Sequence, residues 1–438
     1  MAMTGISWGL LGPGLAVGER RSRTLDLGAA IRRFNELAVP GIGSVWFGKQ
    51  LLLAATGIHV AGLARRTGTP VSNVECANAV EALGCWLGLQ QRRWEQDRRL
   101  RGRGKLPRQH ELDFRSVRKK SFYVVQPMRM ATVLAMQPLG LAHASSRRFN
   151  AFELTDEGRA FVDAAFEGFT PYRRDVTGHL ALWAHGQESR MTTPPLQSAL
   201  SPCAPLSGSA PALLRDRLLR GGSGEPATQS QRRRAALEWV ESMRTQPAAT
   251  DWRARPAQIS EAHWADMRAG AALFATRDAA IELLDALERH IACMPKERWS
   301  LHDAVPPPLQ SAQASLNQSA TAFLQLQHPD PEANAFCREC AQGSAAQMLG
   351  RLVERDGRVL RRVGDEVRPG SAFRRQTPAI SHDEAADLGD TPGLQDPSGL
   401  QWPSDISFRI RNLHLLNLDL HGELDEWLAA QAEQGAQG

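Results

Sequence analysis

The stretch FELTDEGRAFVDAAF, residues 152–166, decides how the first part of the chain is read. It follows FNA (149–151), and FNAFEL alternates apolar and polar positions, which predicts a short half-buried strand. Thr155 then stands where it can cap a helix, with Asp156 and Glu157 in the electropositive first turn. Phe161, Ala164 and Ala165 recur at helical spacing and predict the inward face of that helix.

Upstream, RKKSFYVVQPMRMATVLAM (118–136) breaks at Pro127, a residue suited to the first position of a helix. The predicted helix carries Met128, Met130, Val133 and Leu134. QPLGLAHA (137–144) ends it at Pro138 and Gly140 and starts a strand, and SSRR (145–148) is a polar, basic turn. This order of helix, Leu-Gly-Leu strand, basic tip, strand and LTDEG helix resembles the winged-helix family, in particular MarR-type regulators, over residues 118–167. The resemblance implies a helix that enters the major groove and a wing tip that touches the neighbouring backbone or minor groove. Carried onto this sequence, Arg129 lies on the recognition helix, and Ser145, Ser146, Arg147 and Arg148 form the tip. Arg and Ser there can give and accept hydrogen bonds with phosphates. The chain departs from the pattern in one respect. PMRMATVLAM (127–136) is nearly all apolar and offers one base-reading side chain, where a reading helix presents Arg, Asn, Gln or Ser. Backbone contact is therefore expected rather than sequence readout, and a winged helix that serves protein contacts stays open.

Charge is unevenly spread. The net +5 of the 438 residues combines 26 Lys/Arg against 15 Asp/Glu in residues 1–175 with 26 against 32 in the rest. A basic front suits a polyanion, and a neutral to acidic back suits protein or solvent. Residues 91–120 hold twelve Lys/Arg and four Asp/Glu. Their first part reads as the extension of a helix with Trp94 as its anchor. RGRGKLP (101–107) then breaks it, because two glycines and a proline sit badly in a helix. Arginines spaced by glycine suit a loop laid along phosphates, so Arg98, Arg99, Arg101, Arg103 and Lys105 are candidate nucleic-acid contacts, with a solvated face as the alternative.

The length allows two or three domains. FGKQLLLAATGIHVAGLARR (47–66) and VECANAVEALGCWLGL (74–89) have helical period and are separated by TGTPVSN, where Ser72 or Asn73 can cap the second helix. This is the outline of a helix-turn-helix and of any helical hairpin. Residues 186–231, rich in Pro, Ser and Gly with one helical island (210–220), predict a linker. The expected organisation is a basic N-terminal domain (1–185) with the helix-turn-helix or winged helix, that linker, and a helical C-terminal domain (232–438). In the last, Ser260 can cap a helix over 260–293, residues 332–355 read as one helix, and GRVLRRVGDEVRPG (357–370) reads as a hairpin turning at Gly364 and Asp365. Residues 376–403 read as loop and 404–430 as helix. The fold class is mainly α: a winged-helix-containing N-terminal domain plus a C-terminal helical domain with a small β-hairpin.

Catalytic signatures are absent from the sequence. GPGLAVG (12–18) lacks dinucleotide-loop spacing and the Lys of a P-loop, and no HExxH, nucleophile elbow or kinase signature occurs. Cys337 and Cys340 form a single CxxC without a second pair, which suits small helix positions, with a redox pair or metal half-site as the alternative. No catalytic residue, metal or cofactor is assigned. Six scattered cysteines and no leader-like start predict a reducing cytoplasm, and no apolar run of about 20 residues predicts a membrane span. SHDEAADLGD (381–390) reads as a solvated or a partner-binding acidic loop. The leading expectation is a non-enzymatic DNA-binding subunit or regulator with a protein partner on its C-terminal domain. Such a protein suits an accessory role in a bacterial multi-protein system, anti-phage defence or a mobile element. Two alternatives are an assembly protein whose winged helix docks on protein, and a metal-dependent nuclease with dispersed carboxylates.

Overall fold

After a first helix, α1 (Gly28–Ala38), two largely apolar runs form α2 (Gly48–Arg66) and α3 (Asn73–Gln91). The computed structural model describes residues 23–108, 112–120, 122–146, 148–247, 250–373, 402–403 and 405–437. Ser72 opens α3: its side chain accepts from the Glu75 amide, and the Glu75 carboxylate accepts from the Ser72 amide at 2.9 Å. This capping box satisfies amides that have no partner inside the helix. α2 and α3 approach so closely at Gly57 that a Cβ there would overlap the Ala77 backbone. Both are buried over most of their length, so neither shows a clear polar face. α3 ends at Gln91 because Arg93 and Trp94 turn left-handed, with φ of 51° and 64°. Trp94 therefore does not extend the helix as its spacing predicts.

The next elements are short. α4 (Phe114–Val117) and α5 (Arg129–Thr132) are single turns, followed by an antiparallel hairpin of β1 (Ala142–Ala144) and β2 (Phe152–Leu154) and by α6 (Asp156–Phe166). The helix expected over 127–136 is thus one α-turn that continues as tight turns to Gly140. Then come α7 (Val176–Ala184), α8 (Pro194–Leu200), α9 (Ala210–Arg220) and α10 (Ala227–Thr245). The last three occupy half of the stretch expected as a linker, α9 coinciding with its helical island. Leu196, Leu200, Leu206, Leu214 and Leu218 lie in the same core as α2 and α3. The prolines and hydroxyls mark helix starts instead of slack chain: Thr193 caps α8 ahead of Pro194, and Pro211 sits in the first turn of α9. Arg233 of α10 is wholly buried, paired with Glu225 and donating to the Leu218 carbonyl at 2.8 Å.

α11 (Glu261–Ala292), α12 (Pro307–Gln325), α13 (Pro331–Ala341) and α14 (Ala345–Asp356) follow, with a three-stranded antiparallel sheet ordered β3 (Trp299–Ser300), β5 (Glu366–Pro369), β4 (Leu360–Val363). The β4–β5 hairpin turns at Gly364 (φ 62°) and Asp365, as the alternation predicts, and Val363 faces Glu366. β3 has no clear signal in the sequence. The single helix expected over 332–355 is two, because Gly343 (φ 99°) breaks it and Ser344 caps α14. The C-terminal stretch is likewise split, at Gly422, into α15 (Phe408–Leu420) and α16 (Leu424–Gln437).

The chain divides into two compact units, each assembled from separated segments: 1–31 with 272–380, and 32–271 with 381–438. The division therefore falls within α1 and α11, not across 186–231. In the first unit the Arg23 guanidinium is buried among Asp285, Glu288 (2.9 Å) and Asp356 (3.1 Å). In the second, Ile410, Leu413 and Leu416 of α15 join the core, and Asn417 donates to Glu241 of α10 at 2.7 Å. The fold is mainly helical with two small sheets, and among the described residues no helix is long and apolar enough to cross a membrane. GPGLAVG, SHDEAADLGD and most of the loop expected over 376–403 lie outside the described residues.

Candidate nucleic-acid interface

The candidate interface is organised by a carboxylate that sequence reading did not single out. Glu81, midway along α3, is fully buried. The Tyr123 hydroxyl donates to one of its oxygens at 2.6 Å, and the Arg129 amide donates to the other at 2.8 Å. Burial raises the Glu81 pKa, while the Tyr123 bond and the positive charges of Arg129 and Arg101 act against that rise. These bonds pin residues 123–129 against α3. The one visible signal was a carboxylate inside an otherwise apolar run, matched by one of only two tyrosines in the chain.

Two basic elements touch the pinned segment. Arg101 donates to the Gln126 carbonyl at 2.5 Å, and Gly102, at φ 81°, lies against the Tyr123 ring. The RGRGK loop is thereby packed beside 123–126. Farther along, the Arg129 guanidinium lies over the Phe149 ring at 5.9 Å, directly after Arg148 of the hairpin tip. Gln137 also donates to the Ala144 carbonyl of β1 at 3.2 Å.

The hairpin and α6 form one packing unit. Thr155 caps α6 by accepting from the Gly158 amide at 3.0 Å, and its hydroxyl donates to the Gly140 carbonyl at 2.6 Å. Gly158 is required because a Cβ there would overlap the Leu141 carbonyl oxygen. In this chain the glycine of LTDEG is thus placed by its close approach to the Leu-Gly-Leu segment.

The structure sorts the sequence candidates into different roles. Ser145, Ser146 and Arg148 are exposed at the hairpin tip, and Arg147 lies outside the described residues. Arg103 and Lys105 are exposed, and no ion pair among the described residues engages them. Arg98 is exposed and donates to Gln431 at 3.1 Å. Arg101 holds the Gln126 carbonyl. Arg99 does not belong to an outward surface: it is 5% exposed, bound to Asp97 at 3.0 Å and to Asp425 at 2.6 Å. Arg129 is half-buried on Phe149, with its Nε enclosed and unbonded. Arg115, Lys119 and Lys120 are also exposed, and Arg108 caps the Trp94 ring at 5.2 Å.

Residues 125–134, largely apolar in the sequence, turn some of those side chains outward. Val125 is 69% exposed, Met130 57% and Leu134 40%, whereas Met128, Thr132, Ala135 and Met136 are buried. Elsewhere, Cys337 and Cys340 are buried on α13, and burial pushes the Cys337 thiol up to about 12 and Cys340 upward as well. Among the described residues no group of three His, Cys, Asp or Glu side chains is placed to hold a metal ion. No protein-family model matches the chain, and no curated protein and no solved structure matches it either.

Proposed function

We propose that this protein is a non-enzymatic nucleic-acid-binding subunit that contacts phosphates through its basic loop and hairpin tip. The observation that carries the reading is the exposure of Arg103, Lys105, Arg115, Lys119 and Lys120 without an acidic partner among the described residues. Cations held this way release the counterions of a nucleic-acid backbone on contact, which gives affinity without sequence readout. The turned-in Arg129 fits the same conclusion, since it leaves little to address base edges. The likeness to a winged helix supports DNA as the nucleic acid. A sequence-tolerant DNA binder of this kind suits an accessory component of a bacterial multi-protein system, in defence or a mobile element.

The test is binding of random-sequence duplex across a salt series, comparing wild type with a variant carrying Arg103→Ala, Lys105→Ala and Arg148→Ala. The expected result is affinity that falls steeply with salt, with a slope shallower by about 0.9 for each phosphate contact removed. Absence of binding at low salt overturns the reading. The exposed side chains of 125–134 favour a second reading, an assembly protein whose winged helix docks on a partner. In that case Met130→Ala breaks a complex and the basic substitutions leave function intact.

A further inference from the structure

We infer that Met130 and Leu134, flanked by Val125, form an apolar wedge that enters the minor groove of duplex DNA and bends it. The inference rests on the phosphate-binding reading above. Three of the six large hydrophobic side chains exposed among the described residues fall within ten positions here. Met130 lies in the single turn of α5 and Leu134 directly follows its C-cap, Val133, and both side chains are exposed.

The surroundings name the occupant. The segment is tied to the basic loop through Arg101 and Gln126, and to the hairpin tip through Arg129 and Phe149. An apolar ridge in contact with two cationic elements complements a ligand with anionic edges and an apolar, stacked interior. Duplex DNA is such a ligand: its phosphates line the groove and its base steps accept Met, Leu or Phe as wedges, kinking the helix. Two polar side chains of the segment turn toward the protein: the Arg129 guanidinium lies over Phe149, and the Thr132 hydroxyl donates to the Arg129 carbonyl at 2.9 Å. Preference should then follow the ease of unstacking, and pyrimidine–purine steps such as TA deform most readily.

The experiment uses the full chain and a duplex of about 25 base pairs, far shorter than the roughly 150 over which DNA bends freely. The duplex carries a central TA step and a fluorescent donor and acceptor at its ends. The expected result is a rise in energy transfer on binding, larger than for an A-tract duplex. Met130→Ala with Leu134→Ala should bind with an unchanged salt slope and lose that rise, whereas Met130→Leu should keep it. Thermal melting of each variant separates a lost wedge from a lost fold. Wild type that binds without a rise overturns the wedge and leaves the phosphate reading standing. A double alanine variant that still bends the duplex also overturns it and returns these side chains to a protein partner. Wild type that does not bind at low salt overturns both.

Discussion

The Tyr123 hydroxyl and the buried Glu81 carboxylate are joined by a 2.6 Å hydrogen bond that fastens the Arg129 segment to the middle of α3. Tyr123→Phe keeps the ring and removes the donor, leaving one buried carboxylate oxygen short of a partner. The expected cost is about 1–3 kcal/mol in urea unfolding. Stability equal to wild type would show that the bond contributes nothing net.

Glu81 also gives a pH signature. Burial raises its folded-state pKa above the ordinary 4.5, against the pull of Tyr123, Arg129 and Arg101. The folded protein therefore holds this proton more tightly than the unfolded chain does. The resulting stability is complete below the ordinary value and is lost as pH climbs through the raised one. In urea unfolding at stepped pH, wild type minus Glu81→Gln should fall as pH rises above 4.5. A difference that stays flat contradicts the raised pKa.

Arg99 and Arg103, four positions apart, should behave oppositely. Arg99→Ala removes the closer of the two guanidinium partners of the Asp97 carboxylate, itself 6% exposed, leaving Arg92 at 3.6 Å, and should destabilise by on the order of 3 kcal/mol. It should not change the salt slope of DNA binding beyond any loss of folded protein. Arg103→Ala should leave the melting temperature unchanged and make the slope shallower by about 0.9 if Arg103 meets one phosphate. The reverse pattern would place Arg99 on the surface.

Gly158→Ala should cost about 1–3 kcal/mol, since the added methyl meets the Leu141 carbonyl, which cannot move without shifting the hairpin. Thermal melting tests this. The neighbouring Glu157→Ala, at an exposed position, serves as the control and should change stability little.

Thiol labelling offers a test free of any functional assumption. Cys293 is exposed, whereas Cys76, Cys85, Cys337 and Cys340 are buried. Cys203 is half-buried, and burial raises its thiol and those of Cys76, Cys85 and Cys337 to about 12, so little thiolate is available to react. A disulfide reagent should react fast with one equivalent in the native protein and with all six only in denaturant. Rapid native reaction at Cys337 and Cys340 would revive the redox-pair alternative.

The local chemistry of the fold was legible. Ser72, Thr155 ahead of Asp156, and Gly364-Asp365 each announced an element that formed. Their signals lie within a few residues of what they cause. What sequence reading missed depends on residues far apart in the chain. Arg99 and Arg103 look alike in a basic run, and only Asp97 together with distant Asp425 makes one of them internal. Arg93 and Trp94 hold left-handed conformations without glycine's help, so no composition cue ended α3. Residues 186–231 have linker composition because helix starts and linkers draw on the same Pro, Ser and Thr. For the candidate interface, the basic loop and the hairpin tip were visible, but the Glu81 anchor and the outward turn of Val125 and Leu134 were not.

The pairing of α10 with α15 imposes an order of birth. About 160 residues separate the end of one from the start of the other. At roughly 5–20 residues per second, that is a delay on the order of ten to thirty seconds. Through that interval the face of α10 that will meet α15 is outside the ribosome without its partner. All of residues 1–31 and 272–380 are made before residue 381, so the unit that begins and is completed by them has its whole sequence first. The larger unit, most of which is translated earlier, has to wait for its closing helix.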